Sequence, residues 1–453
     1  MTHSFLSALT PAIGKTVRAV ARLRGGGTAL PGRVIESIDS NFMARTLAQL
    51  PYGVVLVSGT NGKTTTTRIV SSMLEQLGLK VFTNPTGSNF TRGVVSALLD
   101  AVDMSGKLHA DIAVLELDEA YAVHFVDKVQ PRYALLLNVL RDQLDRFGEI
   151  DTTAKMLATV AKKTTGTVVL NREDPRIAAL TDVVSQGANI AYYGLSDELV
   201  SFFPSDDTMY NSDDTEDSRN FTLSHYRPAA VTLTKVHNQQ AQFEFADNAS
   251  RYDTNLKLEG VYNAFNAAGA LAIVEAIMND VASAQSHEKN GDKSRANMHG
   301  DIIRAVSTVT PAFGRGESII VNGDKVELIL VKNPMGFRLA LKSFDALNHK
   351  TMIVINDEYA DGRDMSWLWD VDFTTLTDSG VEAVSGVRAT DMALRLAYDE
   401  VPVRNVNDDI NSCLEEFIAS TRGVDKHIYC TYTAMLAVRK SLSQITHVED
   451  AGL

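Results

Sequence analysis

The sequence predicts an α/β protein built on two successive, largely parallel sheets. Short apolar runs rich in β-formers alternate with helical stretches, a glycine-rich turn separates one such run from an amphipathic stretch, and the alternation stops and resumes once along 453 residues. That length exceeds a single hydrophobic core, and 45% apolar with 22% charged residues describes a folded globular chain of more than one domain.

The first runs are "GVVLVS" (53–58), "IAVLEL" (112–117), "YALLLNV" (133–139) and "TVVLN" (167–171). Nearly unbroken apolar character marks strands covered on both faces. Residues 1–50 precede them as an N-terminal segment whose Lys15, Arg18, Arg22 and Arg24 read as a solvated helix face that could approach anionic lipid. From 196 to 220 eight Asp or Glu appear with no sustained period, and short strands follow to about 258, so residues 196–258 read as an exposed acidic excursion. A second polar stretch, "SAQSHEKNGDKSRANMHGD" (283–301), reads as a long loop and sets a domain of 51–305 apart from one of 306–453. In the latter the alternation resumes with "VELILV" (326–331), "TMIVIN" (351–356), "EAVSGV" (382–387) and "HIYCTY" (427–432). There Trp367 and Trp369, two apart on a segment read as extended, are expected on one face.

The overall charge of −13 excludes a broad electrostatic grip on nucleic acid. Cys413 and Cys430 are too few for a zinc site and suit buried thiols of a reducing cytoplasm. No apolar run reaches about 18 residues by this reading and no signal peptide is recognisable, so a cytoplasmic location is expected.

Chemistry enters at "VVLVSGTNGKTTTTRIVSSMLEQLG", where Gly59, Thr60, Asn61, Gly62, Lys63, Thr64 and Thr65 lie between a buried strand and an amphipathic helix. Glycines let backbone N–H groups turn onto phosphate oxygens, the helix start adds partial positive charge, and Lys63 can bridge the outer phosphates. ATP is the expected ligand. Thr64 can ligate Mg²⁺, and Glu116, ending the strand in "AVLELDEA" (113–120), can hold the metal or position water.

"GTNGKTTT" resembles the ATP loop of the Mur ligase superfamily, and further matches follow in order: "LNVLRDQLDRFGE" (137–149), "LNREDP" (170–175), "GVYNAFNAAGALA" (260–272) and "FGRGE" (313–317). The resemblance implies a Mur ligase-like central ATP-binding domain followed by a Rossmann-like α/β domain. It also implies that Asn263 and Asn266 contact adenine and that Arg315 lies near the phosphates. Departures point within the superfamily. Gln143 replaces the His of amino-acid-adding ligases, Lys155 falls about two positions short of their modified lysine, and Lys332 replaces the His of a third motif.

With "RGGGTALPG", "ADGRDMSWLWDVDF" and "TYTAM", these departures resemble the synthetase subunits of lipid II isoglutaminyl synthases. The resemblance implies ATP-dependent phosphorylation of the D-glutamate α-carboxylate of the lipid II stem peptide at the inner membrane face, and displacement of phosphate by ammonia. It implies a heterodimer with a separate class I glutaminase of the GatD type, whose Cys and His are completed by an Asp of the Asp-Gly-Arg-Asp tract, Asp364. Spacing alone leaves Asp361 as the alternative. No structural zinc is expected. The rival readings are an amino-acid-adding ligase, such as a muramyl-peptide ligase or folylpolyglutamate synthase, and a non-catalytic nucleotide-binding subunit.

Overall fold

The computed structural model describes residues 10–17, 29–84, 89–140, 150–200, 225–237, 239–247, 249–258, 261–285, 291–310, 315–344 and 346–448. Two sheets organise them. The first contains β1 (Val54–Ser58), β2 (Val81–Thr83), β3 (Ile112–Glu116), β4 (Tyr133–Leu136), β5 (Thr167–Asn171), β6 (Asn189–Leu195), β7 (Val231–His237), β8 (Gln240–Phe245) and β9 (Ser250–Asn255). Their order is β2-β3-β1-β4-β5-β6-β7-β8-β9, parallel as far as β7 and antiparallel through β8 and β9. The second holds β10 (Arg315–Val321), β11 (Asp324–Leu330), β12 (Lys350–Val354), β13 (Val381–Ser385), β14 (Val403–Asn407) and β15 (Lys426–Cys430), ordered β10-β11-β15-β12-β13-β14 with only β10 antiparallel.

Strand alternation distributes each sheet between two cores. In β1, Val55 and Val57 enter one cluster while Val54 and Leu56 enter the other. In β12, Ile353 faces one side and Met352 and Val354 the opposite. Each fully buried aliphatic side chain of this kind contributes about 1.5–3 kcal/mol.

Four helices position the site: α1 (Lys63–Gln76), α2 (Val261–Gln285), α3 (Pro334–Ser343) and α4 (Tyr432–Leu442). α2 packs across β4 to β7 and against α1. Its span Val261–Ala284 is long and apolar enough to cross a membrane, which corrects the expectation that no such run exists. With 72% of its most apolar window buried, it covers the sheet instead.

The stretch 283–301 is not a long loop. α2 runs to Gln285 and a further helix covers Gly291–Thr308, so the expected boundary at 305 falls inside a helix. That helix is anchored by Ile302, Ile303, Ala305 and Val306, all beyond the polar window that suggested a loop. The tryptophan segment is likewise not extended. Ser366–Asp370 forms a 3₁₀ turn that puts Trp367 beside Phe337 and leaves Trp369 48% exposed, edge-on to Tyr398. Short polar strands such as β14 ("VRNVN"), with alternating half-exposed positions, escaped the search for apolar runs. Of the acidic excursion expected at 196–258, residues 201–224 lie outside the described residues, while β7, β8 and β9 do not leave the sheet but extend it beyond β6. Arg18, Arg22 and Arg24 also lie outside the described residues, and Lys15 donates to the Val102 carbonyl at 2.7 Å.

Candidate active site

The phosphate loop crosses the carboxyl ends of β1, β3 and β4, where open parallel sheets bind their ligands. Gly62 caps α1 with φ of 87°, a left-handed conformation, and a Cβ there would lie 2.6 Å from Asn266 Oδ1. Only glycine meets both conditions. Asn266, on α2, is thereby placed against the loop, buried to 4% exposure, and Asn263 is half-buried one turn earlier.

Asn138, just past β4, braces the turn. Its Oδ1 accepts from Asn61 N at 2.8 Å, its Nδ2 donates to the Asn61 carbonyl and to Tyr262 Oη, and its carbonyl accepts from Thr60 N. Asp174 supports the same region from below. It accepts from Val139 N at 2.7 Å and from Arg176 N and Ile177 N at a short helix start, while burial pushes its carboxyl up to about 6.

Thr64 Oγ1 donates to Glu116 Oε1 at 2.7 Å, and both residues are buried. Asn84 clamps the Glu116 backbone, donating to its carbonyl and accepting from its N–H. Lys63 Nζ donates to the Gly59 carbonyl at 2.7 Å and lies 3.2 Å from Asp118 Oδ1 and 3.7 Å from Glu119 Oε2. Thr65 is buried in the first turn of α1. A buried ammonium, a hydroxyl and three carboxylates thus converge at a helix start, the chemistry of a polyphosphate with its counter-ion.

The second domain reaches this loop. Asn61 and Asn333 exchange amide hydrogen bonds of 3.2 and 2.9 Å, and Lys332 Nζ donates to the Thr60 carbonyl at 3.1 Å. Arg315 opens β10, and its side chain lies outside the described residues, as does Gln143. Lys155 is exposed on the helix Ile150–Lys163. Sequence reasoning did not assign roles to Asn84, Asp118, Glu119, Asn138, Tyr262 or Asn333. A usable signal for Asp118 and Glu119 was the run of carboxylates that begins at the end of β3.

In the second domain the two aspartates of the acidic tract diverge. Asp361 is 4% exposed. Its carboxylate accepts from Thr433 N at 2.7 Å, Thr433 Oγ1 at 2.5 Å and Glu358 N at 3.1 Å, and burial raises its pKa against those bonds. Asp364 is exposed. Its Oδ1 accepts from Ser366 N at 2.9 Å at the head of the 3₁₀ turn, and hydrogen bonding to Ser366 lowers its pKa.

At the root of the acidic excursion His225 Nδ1 lies 2.6 Å from Glu173 Oε2 and its Nε2 lies 2.9 Å from Asp197 Oδ1. The Glu173 hydrogen bond raises the His225 pKa against the lowering effect of burial. Among the described residues two other clusters bring carboxylate and imidazole together. In Glu327, His349 and His427 the rings are stacked 4.0 Å apart at 17°, so they cannot both aim a lone pair at one ion in this arrangement. In Asp247, Glu275 and His299 the buried His299 Nδ1 has, among the described residues, no acceptor of the kind a metal-bound imidazole uses.

Fold and loop together define a ligase of the Mur type. The Mur ligase middle domain model matches residues 57–274 and the MurT ligase C-terminal model residues 330–435. Along its length the chain is 31% identical to the lipid II isoglutaminyl synthase (glutamine-hydrolyzing) subunit MurT of Streptococcus pneumoniae, over 95% of each chain. It is similar in fold to MurF of Acinetobacter baumannii (TM-score 0.65, 17% identity, 91% of this chain and 80% of that one). The same holds for the MurF ligase of Thermotoga maritima in complex with ADP (TM-score 0.62, 16% identity, 90% and 84%). The chain belongs to the MurT family.

Proposed function

We propose that this chain is the ATP-dependent synthetase subunit of a glutamine-hydrolysing lipid II isoglutaminyl synthase, acting in peptidoglycan synthesis. The supporting observation is the phosphate loop, with Lys63 and the Thr64–Glu116 pair at its mouth, in a chain 31% identical to the S. pneumoniae subunit over 95% of its length. An α-carboxylate is unreactive toward ammonia until one oxygen becomes a leaving group. The D-glutamate carboxylate of the stem peptide attacks the γ-phosphorus of ATP, the bond to ADP breaks, and an acyl phosphate forms. Ammonia then adds to the acyl carbon, phosphate departs with the C–O bonding pair, and loss of a proton leaves D-isoglutamine.

Lys63 neutralises the transferring phosphoryl group, where electrostatic stabilisation does most of the work. Asn138, bonded to the Thr60 and Asn61 backbone, and Asn266, lying against Gly62, hold the shape of the turn that receives the phosphates. Thr64 and Glu116 fit Mg²⁺: two buried oxygen donors 2.7 Å apart suit a hard cation. Bound there, Mg²⁺ supplies charge neutralisation and orients the phosphates. Asn263, Asn266 and Arg315 complete the nucleotide contacts in this reading.

Ammonia comes from a class I glutaminase of the GatD type, paired with this chain as a heterodimer on the domain built around the second sheet. Asp364 completes that partner's Cys–His pair, orienting the His and stabilising its imidazolium. Its exposure favours it over Asp361, whose carboxylate is engaged inward. The lipid-anchored substrate places the reaction at the inner membrane face.

The test is reconstitution. The chain with its glutaminase, ATP, Mg²⁺ and lipid II converts the D-glutamate α-acid to the amide with glutamine as donor, and the chain alone does so with ammonium. No acid-to-amide conversion under either condition refutes the proposal, and incorporation of an amino acid instead restores the rival ligase.

A further inference from the structure

The phosphate loop and the 361–370 tract belong to different sheets, yet one helix touches both. Asn333 caps α3 through Gly336 N at 2.7 Å, and from that cap its amide exchanges both hydrogen bonds with Asn61. Asn333 is 1% exposed and Asn61 6%. Along α3, Met335 and Leu339 enter the core of the first sheet while Phe337, Ala340 and Leu341 enter that of the second. Phe337 lies 6.4 Å from the Trp367 ring and 5.0 Å from Phe373, and Arg338 donates to the Asp370 carbonyl. Asp364 in turn receives the N–H of Ser366, at the start of the turn that Trp367 and Asp370 belong to.

We infer that Asn333 is a positioning residue through which nucleotide at the phosphate loop orders the 361–370 tract, coupling the synthetase site to the carboxylate offered to the glutaminase. Resting on the function proposed above, the inference adds the route by which ATP governs release of ammonia. The geometry supports a mechanical reading for three reasons. A side-chain amide donates and accepts through a rigid plane, so two reciprocal bonds fix Asn333 in position and orientation whenever Asn61 is fixed. Asn61 is itself held through its N–H and carbonyl by Asn138, so a nucleotide that rearranges or tightens this turn passes the change to Asn333 through the Asn61 amide. α3, packed in both cores, has no way to shift at its first turn without moving Phe337 and Arg338 against the 3₁₀ turn. Lys332, bonded to Thr60, adds a second tie from the same segment.

Asn333→Ser separates this role from capping, because Ser caps a helix about as well as Asn but is too short to reach Asn61. Lys332→Met leaves the cap untouched and removes the tie to Thr60. The measurement is amide hydrogen exchange of the full chain with and without Mg²⁺ and a non-hydrolysable ATP analogue. In the wild type, the analogue should slow exchange both in the phosphate loop and across 361–370. Asn333→Ser should keep the loop protection and lose that of 361–370, and Lys332→Met should lose it in part. In the reconstituted pair the analogue should change wild-type glutamine hydrolysis by roughly 5-fold or more, and the Ser variant should flatten that response.

Equal protection of 361–370 in wild type and Asn333→Ser overturns the inference, as does wild-type protection confined to the loop. Because exchange is read on this chain alone, such a failure is distinct from failure of the wild-type pair to amidate lipid II, which would overturn the function itself.

Discussion

Asp361 turns its carboxylate inward onto Thr433, and on the far side of Gly362 and Arg363 Asp364 faces solvent. The two acids of one short tract therefore have separable tasks. Asp364→Asn should abolish glutamine-driven amidation, by about 10³–10⁴-fold if it orients the partner's imidazole, while ammonium-driven amidation persists. Equal loss of both activities would place Asp364 in the synthetase site. Asp361→Asn should instead lower the melting temperature, since the Thr433 and Glu358 bonds it disturbs are worth about 1–3 kcal/mol when a buried donor loses its acceptor.

Thr64 and Glu116 give a prediction for the phosphoryl step. Thr64→Val removes the hydroxyl with little change in volume, and Glu116→Gln removes the charge. Each should lower kcat/KM for ATP by about 10²–10³-fold in ammonium-driven amidation and raise the Mg²⁺ concentration needed for half-maximal rate. An unchanged Mg²⁺ dependence in both variants would remove the pair from the metal site.

Gly62 can be tested against a control glycine. Gly62→Ala meets both a positive φ of 87° and the Asn266 amide, so nucleotide binding should fall below detection in calorimetry. Gly423→Ala has φ of 81° with nothing within 4 Å, so it should cost only about 1–2 kcal/mol of stability and leave nucleotide affinity intact.

His225 carries a pH prediction. Its folded pKa is raised above 6.5, chiefly by Glu173, so the protonated form is favoured on folding. That contribution is complete below the unfolded pKa and disappears as pH rises through the folded value. The melting temperature of the wild type should therefore fall across the interval above pH 6.5, and that slope should flatten in His225→Gln. A parallel pair of curves would show that His225 does not titrate in this way.

The sheet strands and the phosphate loop were legible because parallel strands buried on both faces are long apolar words and glycine before Lys-Thr is a strong local mark. β6, β10 and β14 were not, since edge position and half-burial dilute the apolar signal. Glu116 and Thr64 could be named because each ends or begins an element. Asn138 and Asn333 could not: their partners at Asn61 lie 77 and 272 residues away, and no local pattern distinguishes them from ordinary polar residues. The tryptophans were misplaced because a 3₁₀ turn and a strand place residues two apart very differently. Gln143 and the side chain of Arg315 fall outside the described residues.

The clasp between Asp361 and the first turn of α4 also bears on how fast two subunits can find each other. A loop anchored at one end by this clasp and ordered further by nucleotide presents its acid in a fixed direction, so docking of the nucleotide-bound chain needs little ordering of this surface. Association should then be governed by diffusion and orientation, and what distinguishes a good complex from a poor one should be how long it lasts.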